Sequence, residues 1–133
     1  MKRYLSWSGG KDSSASIVLA YEKGIPLDGV IFSEVMFDHS RNISGENPEH
    51  IKWIYEIAIP QIYKMGFPVE VVRAEKDYIT LFNTRSVRSK VSSRIGRKWG
   101  FPMGGKCFIN SQLKISALNR FCKNLGFYES IVG

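Results

Sequence analysis

Six consecutive residues carry most of the chemistry available to this chain: Ser8, Gly9, Gly10, Lys11, Asp12 and Ser13. Two adjacent glycines leave the backbone bare and free to take positive φ, so an anion can approach the peptide N–H groups closely. The serines, together with Ser14, add hydroxyl donors. Lys11 adds a cation, and Asp12 a carboxylate suited to a hard metal such as magnesium. Asp12 or Ser13 has the side chain expected of a helix N-cap. The ligand this set suits is a phosphate. Two better-known phosphate loops are excluded. A Walker A loop ending in Gly10-Lys11 would need glycine where Leu5 stands. The dinucleotide spacing G-x-G-x-x-G fails because Gly9 and Gly10 are adjacent.

The flanking elements fit that role. Tyr4, Leu5 and Trp7 form a short apolar run of strand length, and a helix-like run with Ile17, Val18, Leu19 and Tyr21 follows the loop. Strand, glycine loop and helix together aim a helix N-terminus at an anion. The first helix should end at Lys23-Gly24. Val30, Ile31 and Phe32 predict a second strand of the doubly buried, parallel kind. Ser33, Glu34 and Asp38 then fall at or beyond its C-terminal end, the ligand edge of an open α/β sheet. Residues 38–47 read as a polar loop. A helix follows from Pro48 to Met65, with Pro60 expected to kink or split it. A third strand covers 67–74, a short helix or turn 75–83, a helix 111–125 and a fourth strand 127–132. This alternation predicts a single α/β domain over residues 1–133, with a parallel sheet and right-handed crossovers.

Charge is unevenly spread. The net charge is +7, which favours anionic partners. Residues 85–106 hold Arg85, Arg88, Lys90, Arg94, Arg97, Lys98 and Lys106 and no carboxylate. The segment reads as a long loop or broken helix on the ligand side, expected to close over bound phosphates, or else as an ordinary solvated basic surface. Within it, Trp99 and Phe101 either stack on a base or anchor the loop. Cys107 beside Lys106 is either structural or a thiol of lowered pKa with a redox or sulfur-handling role. Cys122 falls on an apolar helix face, as a core residue would. His39 and His50 match no zinc spacing and read as exposed or capping. Trp53, Tyr55 and Tyr63 read as packing residues of their helix.

The Ser8–Ser13 sequence resembles the SGGxDS signature of the PP-loop superfamily of ATP pyrophosphatases. Taken with Tyr4–Ser13, Ile31-Phe32-Ser33-Glu34 and Gly100–Cys107, it is similar to the phosphoadenosine phosphosulfate (PAPS) reductase-like branch. The resemblance implies a doubly wound, Rossmann-like sheet of the adenine nucleotide alpha hydrolase type, five parallel strands in order 3-2-1-4-5. Only four strands are counted before Gly133, so a fragment or shortened member is expected. An exposed fourth-strand edge would then favour a homo-oligomer. The resemblance further implies binding of ATP, adenosine phosphosulfate or PAPS, with magnesium admitted. Ser8, Gly9, Gly10, Lys11, Asp12 and Ser13 would hold the phosphates, and Ser33 and Glu34 would contact the nucleotide. Asp12, Lys11 and Lys106 would serve catalysis, Asp12 also as metal ligand and Asp38 as a weaker candidate. The chemistry implied is adenylyl transfer with pyrophosphate release, or sulfonucleotide handling. The C-terminal Glu-Cys-Gly-Leu-His tail of sulfonucleotide reductases has no counterpart here. The alternative is a non-catalytic nucleotide- or nucleic-acid-binding module that uses the basic 85–106 segment.

Composition sets the outer bounds. A hydrophobic fraction of 44% over 133 residues supports a real core and argues against disorder. No apolar run approaches the roughly 20 residues of a membrane helix. Met1-Lys2-Arg3 leaves no room for a signal peptide before the loop, and two cysteines make no disulfide framework, so a reduced cytoplasmic protein is expected.

Overall fold

A computed structural model describes residues 1–87, 92–100, 109–126 and 128–132. Its centre is a four-stranded, all-parallel sheet in the order β5-β2-β1-β6, built from β1 (Lys2–Trp7), β2 (Gly29–Ser33), β5 (Val69–Val72) and β6 (Tyr128–Val132). Numbered by appearance in this sheet, the order is 3-2-1-4. Helix α1 (Lys11–Glu22) links β1 to β2. All five residues of β2 are buried, as a strand covered on both faces requires.

Alternation along the strands sorts the core into two layers. On one face, Leu5, Trp7, Val30 and Phe32 pack with Ile17 and Ala20 of α1 and with Ile54, Ala58 and Ile62. On the other, Tyr4 and Ile31 meet Cys122, Leu118 and Phe121, on or beside helix α5 (Ser116–Lys123). The Tyr4 and Phe121 rings meet edge to face at 5.7 Å. Cys122 is buried there, as its apolar position predicts.

Several expectations change. The N-cap of α1 is Gly10, not Asp12 or Ser13, so both side chains lie within the first turn. Residues 36–44 are not plain loop: β3 (Met36–Asp38) and β4 (Ile43–Ser44) pair antiparallel. The helix over 48–64 runs through as α2 (Pro48–Trp53), a π turn (Ile54–Ala58) and α3 (Ile59–Lys64). Pro60 stands at the start of α3. Its ring would clash with a carbonyl one turn back and it lacks an N–H, and the wider π turn just before it relieves both without breaking the rod. A second π turn (Asn110–Ile115) opens the helix that becomes α5. The short helix before the basic segment is α4 (Tyr78–Asn83), N-capped by Asp77.

Beyond α4, the described part of the basic segment is a loop closed on itself by backbone hydrogen bonds. Arg85 and Lys98 form an antiparallel bridge. Ser86 N–H donates to Arg97 O at 3.0 Å, and Trp99 N–H to Thr84 O at 2.8 Å. A 3-10 turn (Ser92–Arg94) lies between the two limbs. The expectations for Arg88, Lys90, Phe101, Lys106 and Cys107 lie outside the described residues. Among those described, no helix is long and apolar enough to cross a membrane.

Candidate functional site

The loop Ser8–Gly10 leaves the C-terminal end of β1 and enters α1. β2 and β5 lie to one side of β1 and β6 to the other, so strand order reverses at this point. In open parallel sheets the crevice outside such a reversal is where ligands sit. Gly9 has φ +79, Gly10 is extended at φ −83 and ψ 170, and no side chain caps α1. The first-turn N–H groups of a helix have no partner within it, and this helix end, with the positive pole of the dipole, faces the loop.

The serines hold the loop rather than extend from it. The Ser14 hydroxyl donates to Gly10 O at 2.7 Å and accepts from the Trp7 indole at 2.9 Å. Ser13 Oγ accepts from Ser8 N–H at 3.2 Å and lies 3.0 Å from Ser8 Oγ. Gly10 N–H donates to Ser8 Oγ at 3.3 Å. The hydroxyls expected as phosphate donors are thus engaged within the loop. Lys11 and Asp12 form an exposed ion pair at 2.9 Å, a contact of small energy that a ligand can break. Among the described residues no cluster of three or more His, Cys, Asp or Glu could hold a metal ion, so Asp12 belongs to no such cluster.

The wall of the loop comes from an unexpected residue. A Cβ on Gly9 would lie 2.9 Å from His50 Nε2 and 2.9 Å from Ile54 Cδ1. The N–H groups of His50 and Glu49 are both held by the Asn47 side chain at the start of α2. The imidazole stacks on Trp53 at 5.9 Å. His50 is therefore a half-buried neighbour of the glycine loop, its ring stacked on Trp53, rather than a free surface histidine.

Ser33 and Glu34 are buried at the end of β2, at 2% and 1% exposure. The Ser33 hydroxyl donates to Lys114 O at 2.9 Å, tying the strand to the second π turn. The Glu34 carboxylate accepts from Arg73 at 2.8 Å and from the Tyr55 hydroxyl at 3.0 Å. The register that pairs Ser33 with Val72 explains the meeting: one residue further along each strand brings Glu34 beside Arg73. Partial burial works against the Arg73 charge, but the carboxylate outweighs it and the guanidinium pKa is raised. Burial, then the Glu34 charge, raises the Tyr55 phenol. Tyr55 is thus a polar partner as well as a packing residue. An open cleft of about 200 Å3 adjoins this group, lined also by Met36, Asn42 and Ser44. Asn42 takes φ +54 there.

Asp38 is bound inward. It accepts from the Ser40 hydroxyl at 2.6 Å and from the Ser40 and Arg41 N–H groups. The Ser40 hydroxyl leads in lowering its pKa, with the backbone bonds and Arg41 helping against burial. His39 is exposed, with its N–H on Asp77 and its ring 2.9 Å from Ala74 O.

One signal for the Glu34 group was available in the sequence. A carboxylate directly after a strand buried on both faces needs a partner, and a cation at the end of the adjacent strand is the nearest source. No family model matches the chain, and no curated protein or solved structure matches it.

Proposed function

We propose that this chain is an adenine-nucleotide-binding protein of the PP-loop superfamily, in its PAPS reductase-like branch, with the doubly wound fold of that group. It acts at the phosphates of ATP, adenosine phosphosulfate or PAPS, by adenylyl transfer with pyrophosphate release or by sulfonucleotide handling. The observation that carries this reading is a complete Ser-Gly-Gly-Lys-Asp-Ser loop at the reversal of strand order, with positive φ at Gly9 and an uncapped helix behind it.

In this reading the Gly9 amide and the first-turn N–H groups of α1 take the phosphates, and Lys11 leaves Asp12 for the anion. Chemistry at a phosphate needs mainly positioning and preorganised positive charge. Magnesium would supply charge neutralisation on the phosphate oxygens. Asp12 would give it one oxygen, the rest coming from phosphate and water. His50 forms the side wall of the loop. Ser33 and the Glu34–Arg73–Tyr55 group hold the neighbouring strand ends in place beside the nucleotide.

Calorimetric titration with ATP, adenosine phosphosulfate and PAPS tests this. The expected result is binding of at least one of them, lost in the double variant Asp12→Ala, Gly10→Val with the circular dichroism spectrum unchanged. Both positions are exposed, the Gly10 backbone is extended, and a Cβ there meets one atom closely, Ser8 Oγ at 3.3 Å, which has to shift slightly. Equal affinity of wild type and double variant for every nucleotide would overturn the assignment.

A further inference from the structure

Charge is segregated along this chain more sharply than its total suggests. Residues 1–77 hold nine lysines and arginines against eleven carboxylates, whereas residues 78–128 hold ten and no carboxylate at all. Four of those ten, Arg85, Arg94, Arg97 and Lys98, are exposed on the bridged basic loop. Among the described residues none of the four has an ion-pair partner. The Arg85 guanidinium instead donates to Gly96 O at 2.7 Å, across the loop.

That loop is fastened to an aromatic surface. Gly100 N–H donates to Phe82 O at 3.1 Å, and the Trp99 N–H reaches Thr84 O. On α4 the Phe82 and Tyr78 rings lie 6.3 Å apart, and Tyr78 stacks nearly flat on Phe37 of β3, centroids 5.5 Å apart and planes 16° off parallel. Phe37 is 41% exposed. These rings, with Ile79 and Asn83, line an open slot of about 230 Å3. β3 follows the C-terminal end of β2 and α4 follows that of β5, so the slot belongs to the same edge of the sheet as the glycine loop.

We propose that this surface binds single-stranded nucleic acid. The unpaired arginines and Lys98 take successive phosphates, and a base enters the slot against Phe37. A group of cations without carboxylates suits a polyanion, and an exposed flat aromatic on the surface it is fastened to suits an unpaired base, whose π-face a duplex keeps covered. A protein partner with acidic side chains would use the cations and leave the stacked ring unexplained. The inference does not rest on the nucleotide reading, since it uses none of the residues Ser8–Ser13.

Fluorescence anisotropy with a labelled single-stranded oligonucleotide of mixed sequence tests it, against the matching duplex and against heparin, at several salt concentrations. The single strand should bind best, with a log–log salt slope of about −3 for four phosphates neutralised at ~0.7 each. Arg94→Gln with Arg97→Gln should flatten that slope by about 1.4. Phe37→Ala should weaken single-strand binding roughly 10-fold and leave the slope alone. No binding at low salt, equal binding of duplex or heparin, or an unaffected Phe37→Ala protein would each overturn the proposal. Asp12→Ala, Gly10→Val should bind the oligonucleotide as wild type does, which separates this surface from the nucleotide site.

Discussion

Alanine at Gly9 would bring two separate penalties, and a second glycine tells them apart. Gly24, which ends α1 at φ +64, has open space around the position of a Cβ. Gly24→Ala therefore reports the strain of positive φ alone, about 1–2 kcal/mol. Gly9→Ala carries the same strain at φ +79 and also drives a methyl into His50 Nε2 and Ile54 Cδ1. Overpacking of this kind adds about 1–3 kcal/mol. In urea unfolding, Gly9→Ala should lose more stability than Gly24→Ala. Equal losses would mean that the imidazole swings away freely and does not wall the loop. The Glu34 group gives a sharper case. Arg73→Ala removes the cation from a carboxylate that is 1% exposed in the intact chain and leaves the Tyr55 hydroxyl as its partner among the described residues. It should cost about 3 kcal/mol, less if water enters from the adjoining cleft. Glu34→Gln in the same chain should restore part of that, because the stranded charge is gone. If Arg73→Ala alone costs nothing measurable, the ion pair has no part in holding β2 against β5.

Helix α4 shows how a short element depends on its cap. Six residues form too little helix to stand without tertiary help, and Asp77 supplies it twice. Its carboxylate accepts from Thr80 N–H at 2.8 Å and from His39 N–H at 2.8 Å, joining α4 to the loop after β3. Burial opposes the Asp77 charge, but the bonds from Thr80 and His39 outweigh it, and the pKa falls below its ordinary 3.8. The unfolded chain then takes up the proton first as pH drops. The stability Asp77 provides is complete above 3.8 and is lost as pH falls through the lower, folded value. Asp77→Ala should cost about 1 kcal/mol or more at neutral pH, and chemical denaturation near pH 3 should find a smaller gap. A constant gap would refute the assigned role. What the sequence made legible at this scale follows from local rules. The β1–loop–α1 unit, the buried β2 and the glycine stop at Gly24 are each set by neighbours within a few residues. The π turns were not legible, because the turn at 54–58 depends on how Pro60 fits against packed neighbours and not on periodicity. The β3–β4 pairing rests on two very short strands with a register shift, too little for an alternation to register. The Glu34–Tyr55–Arg73 contacts span 21 and 39 residues of chain and exist only once the sheet register is fixed.

At the scale of the whole molecule, the distribution of charge raises a question about stability. The basic segment 78–128 packs α5 onto the sheet built mainly by the more acidic half, yet among the described residues its cations pair little across the fold: Arg120 meets Glu75 at 2.8 Å in an exposed contact. Like charges crowded on one loop raise the free energy of the folded state, since unfolding lets them separate. Arg94→Gln with Arg97→Gln should therefore stabilise the protein slightly at low ionic strength, by a few tenths of a kcal/mol, on the scale of exposed charge interactions. The gain should vanish near about 0.5 M salt, where the screening length is roughly 4 Å. Thermal unfolding at two salt concentrations checks both halves of this statement. A net loss of stability at low salt would show that these arginines support the fold, and a gain that persists at high salt would trace the effect to something other than repulsion. If the two substitutions stabilise the chain while weakening its hold on a polyanion, the cations are kept at the expense of stability. That is the pattern of a binding surface and not of solvated charge.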